Sequence, residues 1–360
     1  MRRDLGHVPE LDGLRGLAAL SVFVLHIVNS QIDRLPPSAV SPTWQLLSRL
    51  AGFGTLGVDV FFVLSGFLIT SLLLADRANP SFFRDFYAKR LLRIQPVYLV
   101  HMLLAWFLLP NSHGYVLLGF VFLVNFDAQF HVPDVGPAWS LSIEEQFYLV
   151  WPQLVRRISM ASLFRVCIGL AVFSSALRTG MILIAHHADV RSTWYRLDGL
   201  AIGALLACQW MGEGESQTRA VRRFLKLFNS TAVLIAAAAA AALFILGLTR
   251  NIGLAMLPAN YLTYRLIRYV LAYPSSRRFG WMGARPLVFL GAISYSSYML
   301  HTIFISLYDR RVPPETTLDP FRFAVRACVI ALATLVSCLI IRHGLELPAQ
   351  RLRRYLISRP

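Results

Sequence analysis

The stretch LDGLRGLAALSVFVLH, which runs from Leu11 to His26, decides the fold class of this chain. It contains the apolar residues of a membrane-crossing helix, but it also carries Arg15 and ends on a histidine. A charged side chain at the centre of a bilayer costs on the order of 3 kcal/mol even on lenient scales, so such residues usually have a function. The stretch therefore predicts a transmembrane helix that carries functional groups.

The composition extends this prediction to the whole chain. Its 360 residues are 56% hydrophobic and only 15% charged, whereas soluble domains contain about 25% charged residues. The net charge of +16 comes from basic residues between apolar segments, and no base-reading or stacking element accompanies them, which argues against a nucleic-acid partner. We expect an all-α, polytopic integral membrane protein embedded in the lipid bilayer of a bacterial inner (plasma) membrane, with one domain over residues 1–360.

Charge distribution predicts the number of spans. Cytoplasmic loops of membrane proteins collect Lys and Arg, and every basic cluster falls on one side when the short segment 115–126 is re-entrant. We therefore predict ten transmembrane helices plus that re-entrant segment, with both termini in the cytoplasm. The eleven apolar segments are 13–30, 54–75, 91–109, 115–126, 139–155, 163–185, 194–211, 230–249, 251–272, 286–308 and 321–342.

Ionisable residues recur within these segments at the depth of His26. In the predicted orientation they lie in the outer halves of their spans, and lone charges at such depth should face one another or a water-filled cavity. We expect them to converge with His26 on one site. They are Asp59, Glu144, Glu145, Arg196, Asp198 and His301.

His26 is the predicted catalytic base of this site. The ordinary pKa of histidine, near 6.5, suits removal of a proton from a hydroxyl group. Glu144 or Asp59 would orient the imidazole ring and stabilise its protonated form. His301 is the alternative base. The alternative role for His26 itself is to carry the transferred acyl group briefly as acyl-histidine.

Three arginines predict a donor site on the cytoplasmic side. Arg15 and His26 are eleven residues apart, about 16 Å along one face of a helix. Arg90 and Arg93 share a helix face at i,i+3 spacing, and guanidinium groups bind phosphate bidentately. The alternative is that these arginines only anchor helix ends at the cytoplasmic interface.

Six ordered blocks of the sequence resemble acyltransferase family 3 of membrane O-acyltransferases. The likeness covers essentially the whole chain, and six blocks in a fixed order are more specific than any one of them. The blocks are LDGLRGLAALSVFVLH, GVDVFFVLSGFLIT, FYAKRLLRIQPVYL, WSLSIEEQFYLVWP, YRLDGLAIGALLA and ISYSSYMLHTIF.

The resemblance implies transfer of an acyl group, usually acetyl from cytoplasmic acetyl-CoA, to a hydroxyl of a carbohydrate or glycolipid such as lipopolysaccharide. The arginine and histidine of the family match Arg15 and His26, and its R-x-x-R element matches Arg90 and Arg93. Its W-S-L-x-x-E block matches Trp139, Ser140, Leu141 and Glu144. No metal is expected. Longer members add an extracytoplasmic SGNH hydrolase-like domain, which we do not expect here. We place on the acceptor side Trp139, Ser140, Arg196, Asp198 and His301.

Two other functions fit the same buried charges. A transporter or flippase for an acylated or anionic glycolipid would use them as a substrate or proton path. A relay subunit would pass acyl groups to a separate enzyme without modifying the acceptor itself. Covalent transfer of label from acetyl-CoA to a glycan distinguishes the acyltransferase from both.

Overall fold

A computed structural model describes residues 6–36, 38, 40–130, 136–186, 188–212, 219–245, 251–274, 276–313 and 319–357. Within these ranges all regular secondary structure is helical, which confirms the all-α prediction. A π-helical segment, Arg342–Glu346, joins the last two α-helices. The α-helices are α1 (Pro9–Ile32), α2 (Pro42–Gly52), α3 (Leu56–Ala75), α4 (Phe82–Leu108), α5 (His113–Phe120), α6 (Ala138–Arg157), α7 (Met160–Ala185), α8 (Leu197–Met211), α9 (Arg219–Phe228), α10 (Thr231–Ile245), α11 (Ile252–Ala272), α12 (Arg285–Ala292), α13 (Ser294–Arg311), α14 (Pro320–Ile341) and α15 (Leu347–Ile357).

Each apolar segment marked in the sequence contains a helix, and segment 286–308 contains two, α12 and α13. The short segment 115–126 forms the eight-residue helix α5 and a 3₁₀ turn. At 1.5 Å per residue, α5 rises about 12 Å, which is too short for a hydrocarbon core of about 30 Å. The last residues of the predicted segment 230–249 lie outside the described residues.

The helices identify a multi-pass membrane protein. Five of them are long and apolar enough to cross a bilayer, and the number rises to seven if each of two bent helix pairs is one span. Helix α8 has 15 residues, whereas α6 and α11 are longer but interrupted by charged residues. The count of ten spans and the cytoplasmic termini stay predictions.

Large apolar side chains on these helices are exposed at the protein surface. The exposed fraction is 76% for Phe107, 83% for Ile184 and 66% for Ile340. An apolar surface of this kind is costly in water and favourable in hydrocarbon. The exposed side chains therefore agree with helices that face lipid.

The chain divides into two compact units. Unit 1 contains residues 1–11, 58–82 and 143–283, and unit 2 contains residues 12–57, 83–142 and 284–360. In unit 1, α3 and α8 approach so closely that a Cβ added at Gly66 or Gly203 would overlap the backbone of the other helix. In unit 2, α1 and α12 meet in the same way at Gly16 and Gly291. Small residues permit such close helix packing in membranes.

Candidate active site

The two histidines predicted as the base and its alternative lie together in unit 2. His26 Nδ1, on α1, and His301 Nε2, on α13, are 3.0 Å apart, and the ring centroids are separated by 5.0 Å. His301 is 1% exposed, whereas His26 is only half-buried. The two residues therefore form one hydrogen-bonded pair, called here the histidine pair, in which His26 is the member accessible to a substrate.

An ionic clamp next to the histidine pair fixes α1 against α13 and α14. Arg326, from α14, donates to the carbonyl of Ile27 (3.0 Å) and to Ser30 Oγ (2.8 Å). The same guanidinium binds both carboxylate oxygens of Asp309 at 3.0 Å, and Asp309 also pairs with Arg34 at 2.7 Å. Because Ile27 directly follows His26, this clamp restrains the part of α1 that carries the histidine.

The hydrogen bonds of the pair determine which nitrogen of His26 is available as a base. His301 Nδ1 lies 3.0 Å from the carbonyl oxygen of Ser297. A carbonyl only accepts, so in the neutral pair His301 Nδ1 carries the hydrogen and His301 Nε2 accepts one from His26 Nδ1. In this tautomer the lone pair of His26 lies on Nε2, the nitrogen opposite the bond to His301. The arrangement resembles a catalytic triad, with His301 as the group that orients the base.

Ser140 lies in the same region of unit 2. Its hydroxyl is 2.7 Å from that of Tyr298 and donates to the carbonyl of Pro137 at 3.2 Å. The ring of Tyr298 lies 6.1 Å from that of His301. Trp139, the residue before Ser140, is half-buried. The structure therefore brings Ser140 to the neighbourhood of the histidine pair.

His101, on α4, is a third buried histidine that the sequence analysis missed. Its Nε2 lies 2.9 Å from the hydroxyl of Tyr115, and its ring is close enough to His301 to interact electrostatically. Among the described residues no group of three His, Cys, Asp or Glu side chains has the geometry of a metal site. The sequence could have indicated His101 as a site residue, because it is an ionisable residue inside the predicted span 91–109.

The predicted donor arginines meet a carboxylate that the sequence analysis also missed. Glu346, in the π-helical segment, interacts electrostatically with Arg342, Arg93 and Arg15 and is hydrogen-bonded to Ser296. Three guanidinium groups thus lie near one carboxylate, and guanidinium groups are suited to binding anionic ligands. We call these four charged residues the arginine cluster.

Backbone contacts hold the arginine cluster in unit 2 together. The hydroxyl of Tyr295, on α13, donates to the carbonyl of Ile94, the residue after Arg93, at 2.9 Å. Arg342 donates to the carbonyl of Ala292 at 3.0 Å. Arg90 lies almost one turn before Arg93 on α4 and is half-buried.

The buried charges of unit 1 neutralise one another. Arg196 binds both carboxylate oxygens of Asp59 at 3.3 Å, and Arg178 binds Asp198 at 2.7 Å. Ser175 donates to Asp198 at 3.0 Å. The four charged side chains, called here the ion-pair cluster, are 1% exposed. Two arginines balance two aspartates, as in a structural ion-pair network.

The observed partners differ from those predicted for His26. Glu144 or Asp59 is the predicted partner of the imidazole, whereas His26 Nδ1 is bonded to His301. Glu144 accepts a hydrogen bond from Tyr148 at 2.9 Å, and Tyr148 is also bonded to Ser65. The catalytic roles of Glu144 and Asp59 and the acceptor-side roles of Arg196 and Asp198 stay predictions.

Several bacterial proteins are similar to this chain. YrhL of Bacillus subtilis (strain 168) is 28% identical over 381 aligned residues, which cover 95% of this chain and 55% of YrhL. The peptidoglycan O-acetyltransferase OatA of Listeria monocytogenes is 27% identical over 342 residues, or 84% of this chain and 50% of OatA. The O-acetyltransferase OatA of Staphylococcus aureus is 27% identical over 338 residues, which cover 84% of this chain and 52% of that OatA.

The chain thus spans about half the length of the curated relatives it matches. No solved structure matches it. A family model described as an acyltransferase domain matches residues 8–343. Because that match covers nearly the whole chain, the chain belongs to acyltransferase family 3.

Proposed function

We propose that this chain is an O-acyltransferase of the bacterial inner membrane, which transfers an acetyl group from cytoplasmic acetyl-CoA to a hydroxyl of a cell-envelope carbohydrate. Family membership and the names of the relatives support acyl transfer. The observation that carries the proposal is the hydrogen bond between His26 and His301, because it leaves His26 Nε2 as an oriented base.

The proposed reaction needs no group beyond the two substrates and the histidine pair. His26 Nε2 removes the proton of the acceptor hydroxyl, and the oxygen attacks the thioester carbonyl carbon. The carbon–sulfur bond then breaks, and the leaving thiolate takes the proton back from the imidazolium. The products are CoA and the O-acetyl ester, and His301 stabilises the positive charge that develops on His26 through their shared hydrogen bond.

The donor would bind with its phosphates at the arginine cluster. Arg15 and Arg93 supply guanidinium groups there, and Arg90 extends the basic surface along α4. Arg15 lies eleven residues before His26 on α1, about 16 Å along the helix. That spacing allows the phosphates of CoA to remain near the cytoplasm while the thioester extends along the helix toward the histidine pair.

We expect Arg93→Gln to raise the KM for acetyl-CoA about 10- to 100-fold with little change in kcat, because a charge-assisted hydrogen bond to phosphate contributes about 1.5–3 kcal/mol. The matched control is Arg84→Gln. Arg84 lies on the same helix, is 69% exposed and pairs with Asp85, so its loss should leave KM unchanged. Equal KM values for Arg93→Gln and the parent chain would contradict the proposed donor site.

The acceptor is proposed to be a glycan hydroxyl that approaches from the outer side of the membrane. Ser140 and Tyr298, next to the histidine pair, offer hydroxyl groups that can hydrogen-bond a sugar. The Listeria relative is named for peptidoglycan, so peptidoglycan is the first acceptor to test, followed by membrane glycolipids.

The experiment uses the full purified chain in vesicles with acetyl-labelled CoA and peptidoglycan or glycolipid. Label in the glycan is the expected result. Transport of a glycolipid across the vesicle membrane without a covalent product would instead indicate the flippase. Release of acetate or labelling of the chain alone, with no acceptor modified, would indicate the relay subunit.

A further inference from the structure

Unit 1 contains a cavity of about 930 Å³ that the proposed acyl transfer does not use. It is lined by residues of α8, α10 and α11 and of the segment after α11. Ligand pockets in proteins typically measure about 300–1,000 Å³, so this cavity is large enough for more than a simple anion. Its two kinds of wall, one basic and one apolar, indicate the chemistry of its occupant.

The basic wall consists of Arg265, Arg268 and Arg278. Arg265 donates to the carbonyls of Asn229 (3.2 Å) and Ser230 (3.3 Å), and Arg268 donates to Asn229 Oδ1 at 3.1 Å. These acceptors are neutral, so they hold the guanidinium groups without cancelling their charge. In the part of the chain that the structure describes, no carboxylate forms an ion pair with any of the three arginines.

Gln209 adds an amide to the same cavity. Its Oε1 and Asn229 Oδ1 each lie 2.8 Å from the hydroxyl of Tyr264, whose single hydrogen can serve only one of them. The amide of Gln209 therefore has hydrogen-bonding capacity left, which a headgroup in the cavity can use.

The apolar wall is formed by leucines and aromatic side chains. Leu206, Leu262 and Leu266 line the cavity together with Tyr269 and Tyr273. Leu262, Leu266 and Tyr269 recur at intervals of three and four residues on α11 and so lie on one helix face, next to Arg265. Such a wall suits a hydrocarbon chain, and tyrosines are typical of the membrane–water interface.

We propose that this cavity binds an anionic phospholipid, with the headgroup against the three arginines and Gln209 and an acyl chain along the leucines. The basic loop that contains Arg278 is predicted to lie in the cytoplasm, where the membrane surface is anionic. A free phosphate ester would use only the basic wall. The lipid uses both walls.

The test measures ligand binding by the full chain purified in neutral detergent, using native mass spectrometry. The probes are phosphatidylglycerol, phosphatidylcholine with the same acyl chains, and glycerol phosphate. We expect phosphatidylglycerol to bind in clear preference to the other two. Equal binding of phosphatidylcholine, or tighter binding of glycerol phosphate, would overturn the proposal.

Matched variants locate the site. Removing two charges with Arg268→Gln and Arg278→Gln should weaken phosphatidylglycerol binding about 25-fold, or about fivefold for each charge. Arg222→Gln with Arg223→Gln removes two exposed charges from α9, outside the cavity, and should have little effect. An equal loss in both pairs would assign the preference to general surface charge and overturn the proposal.

A further variant, Gln209→Glu, tests the same site in case the double variant of Arg268 and Arg278 does not fold. Gln209→Glu keeps the acceptor for Tyr264 but replaces the amide donor with a carboxylate that repels phosphate. We expect this variant to elute as the parent chain does on size exclusion and to lose phosphatidylglycerol binding more than tenfold. Unchanged binding by a normally eluting variant would contradict the proposed headgroup position.

Discussion

Replacing His26 with alanine is expected to reduce acetyl transfer at least about 10³-fold while leaving the folded chain intact. A positioned base typically contributes 10²- to 10⁴-fold, and His26 is the accessible member of the histidine pair. Its neighbours Ile27 and Ser30 keep their bonds to Arg326, so α1 should stay in place. The measurement is the initial rate of label transfer from acetyl-CoA to the acceptor.

The matched control for this variant is His113→Ala. His113 lies on α5 in the same unit, is exposed and packs against Trp106 with ring centroids 4.1 Å apart. Its loss removes an imidazole without touching the histidine pair. Full activity in His26→Ala would exclude His26 as the catalytic base, whereas equal inactivity of both variants would show that the assay reports stability.

The variant with the largest expected effect on stability is Arg178→Met. Arg178 binds Asp198 and also donates to the carbonyls of Gly253 and Tyr195. Methionine fills the space but leaves the carboxylate of Asp198 buried without its countercharge. Removal of one partner of a buried pair costs about 3–5 kcal/mol, and the apparent Tm should fall by about 6 °C or more.

A second substitution should restore part of that loss. Asp198→Asn in the Arg178→Met background removes the uncompensated charge and keeps the acceptor for Ser175, so the double variant should be more stable than Arg178→Met alone. Arg165→Met, at an exposed position on the same helix, is the control. The apparent Tm of the single, double and control variants is measured from the loss of the size-exclusion peak on heating. An unchanged Tm in Arg178→Met would mean that the ion-pair cluster does not stabilise the fold.

The positions of the helices followed from the sequence because apolar segments of this length have few alternatives in a bilayer. The short segment 115–126 was also distinguishable, since length alone decides whether a helix can cross. The number of spans was harder to predict. Helices α12 and α13 are bent by 69° at their junction, and such a bend depends on packing that a hydropathy pattern does not contain.

The candidate site was predictable in its residues but not in their pairing. His26 and His301 were both recognised as ionisable residues in spans, yet they are 275 residues apart, and only helix packing brings them together. Arg178 and Arg326 gave the same signal, a charge inside an apolar segment, and were overlooked. Glu346 gave none, because it lies beyond the last apolar segment and reaches the arginine cluster only through the π-helical turn.

The central claim is that His26 is the base and that His301 acts through it. The most direct test compares acetyl-transfer rates of the parent chain, His26→Ala, His301→Ala and the double variant. We expect the acetyl-transfer rate of His301→Ala to fall about 10²-fold, because His26 loses its orientation. The rate of the double variant should match that of His26→Ala within about twofold, because His301 acts only through His26. Losses that multiply in the double variant would contradict the account.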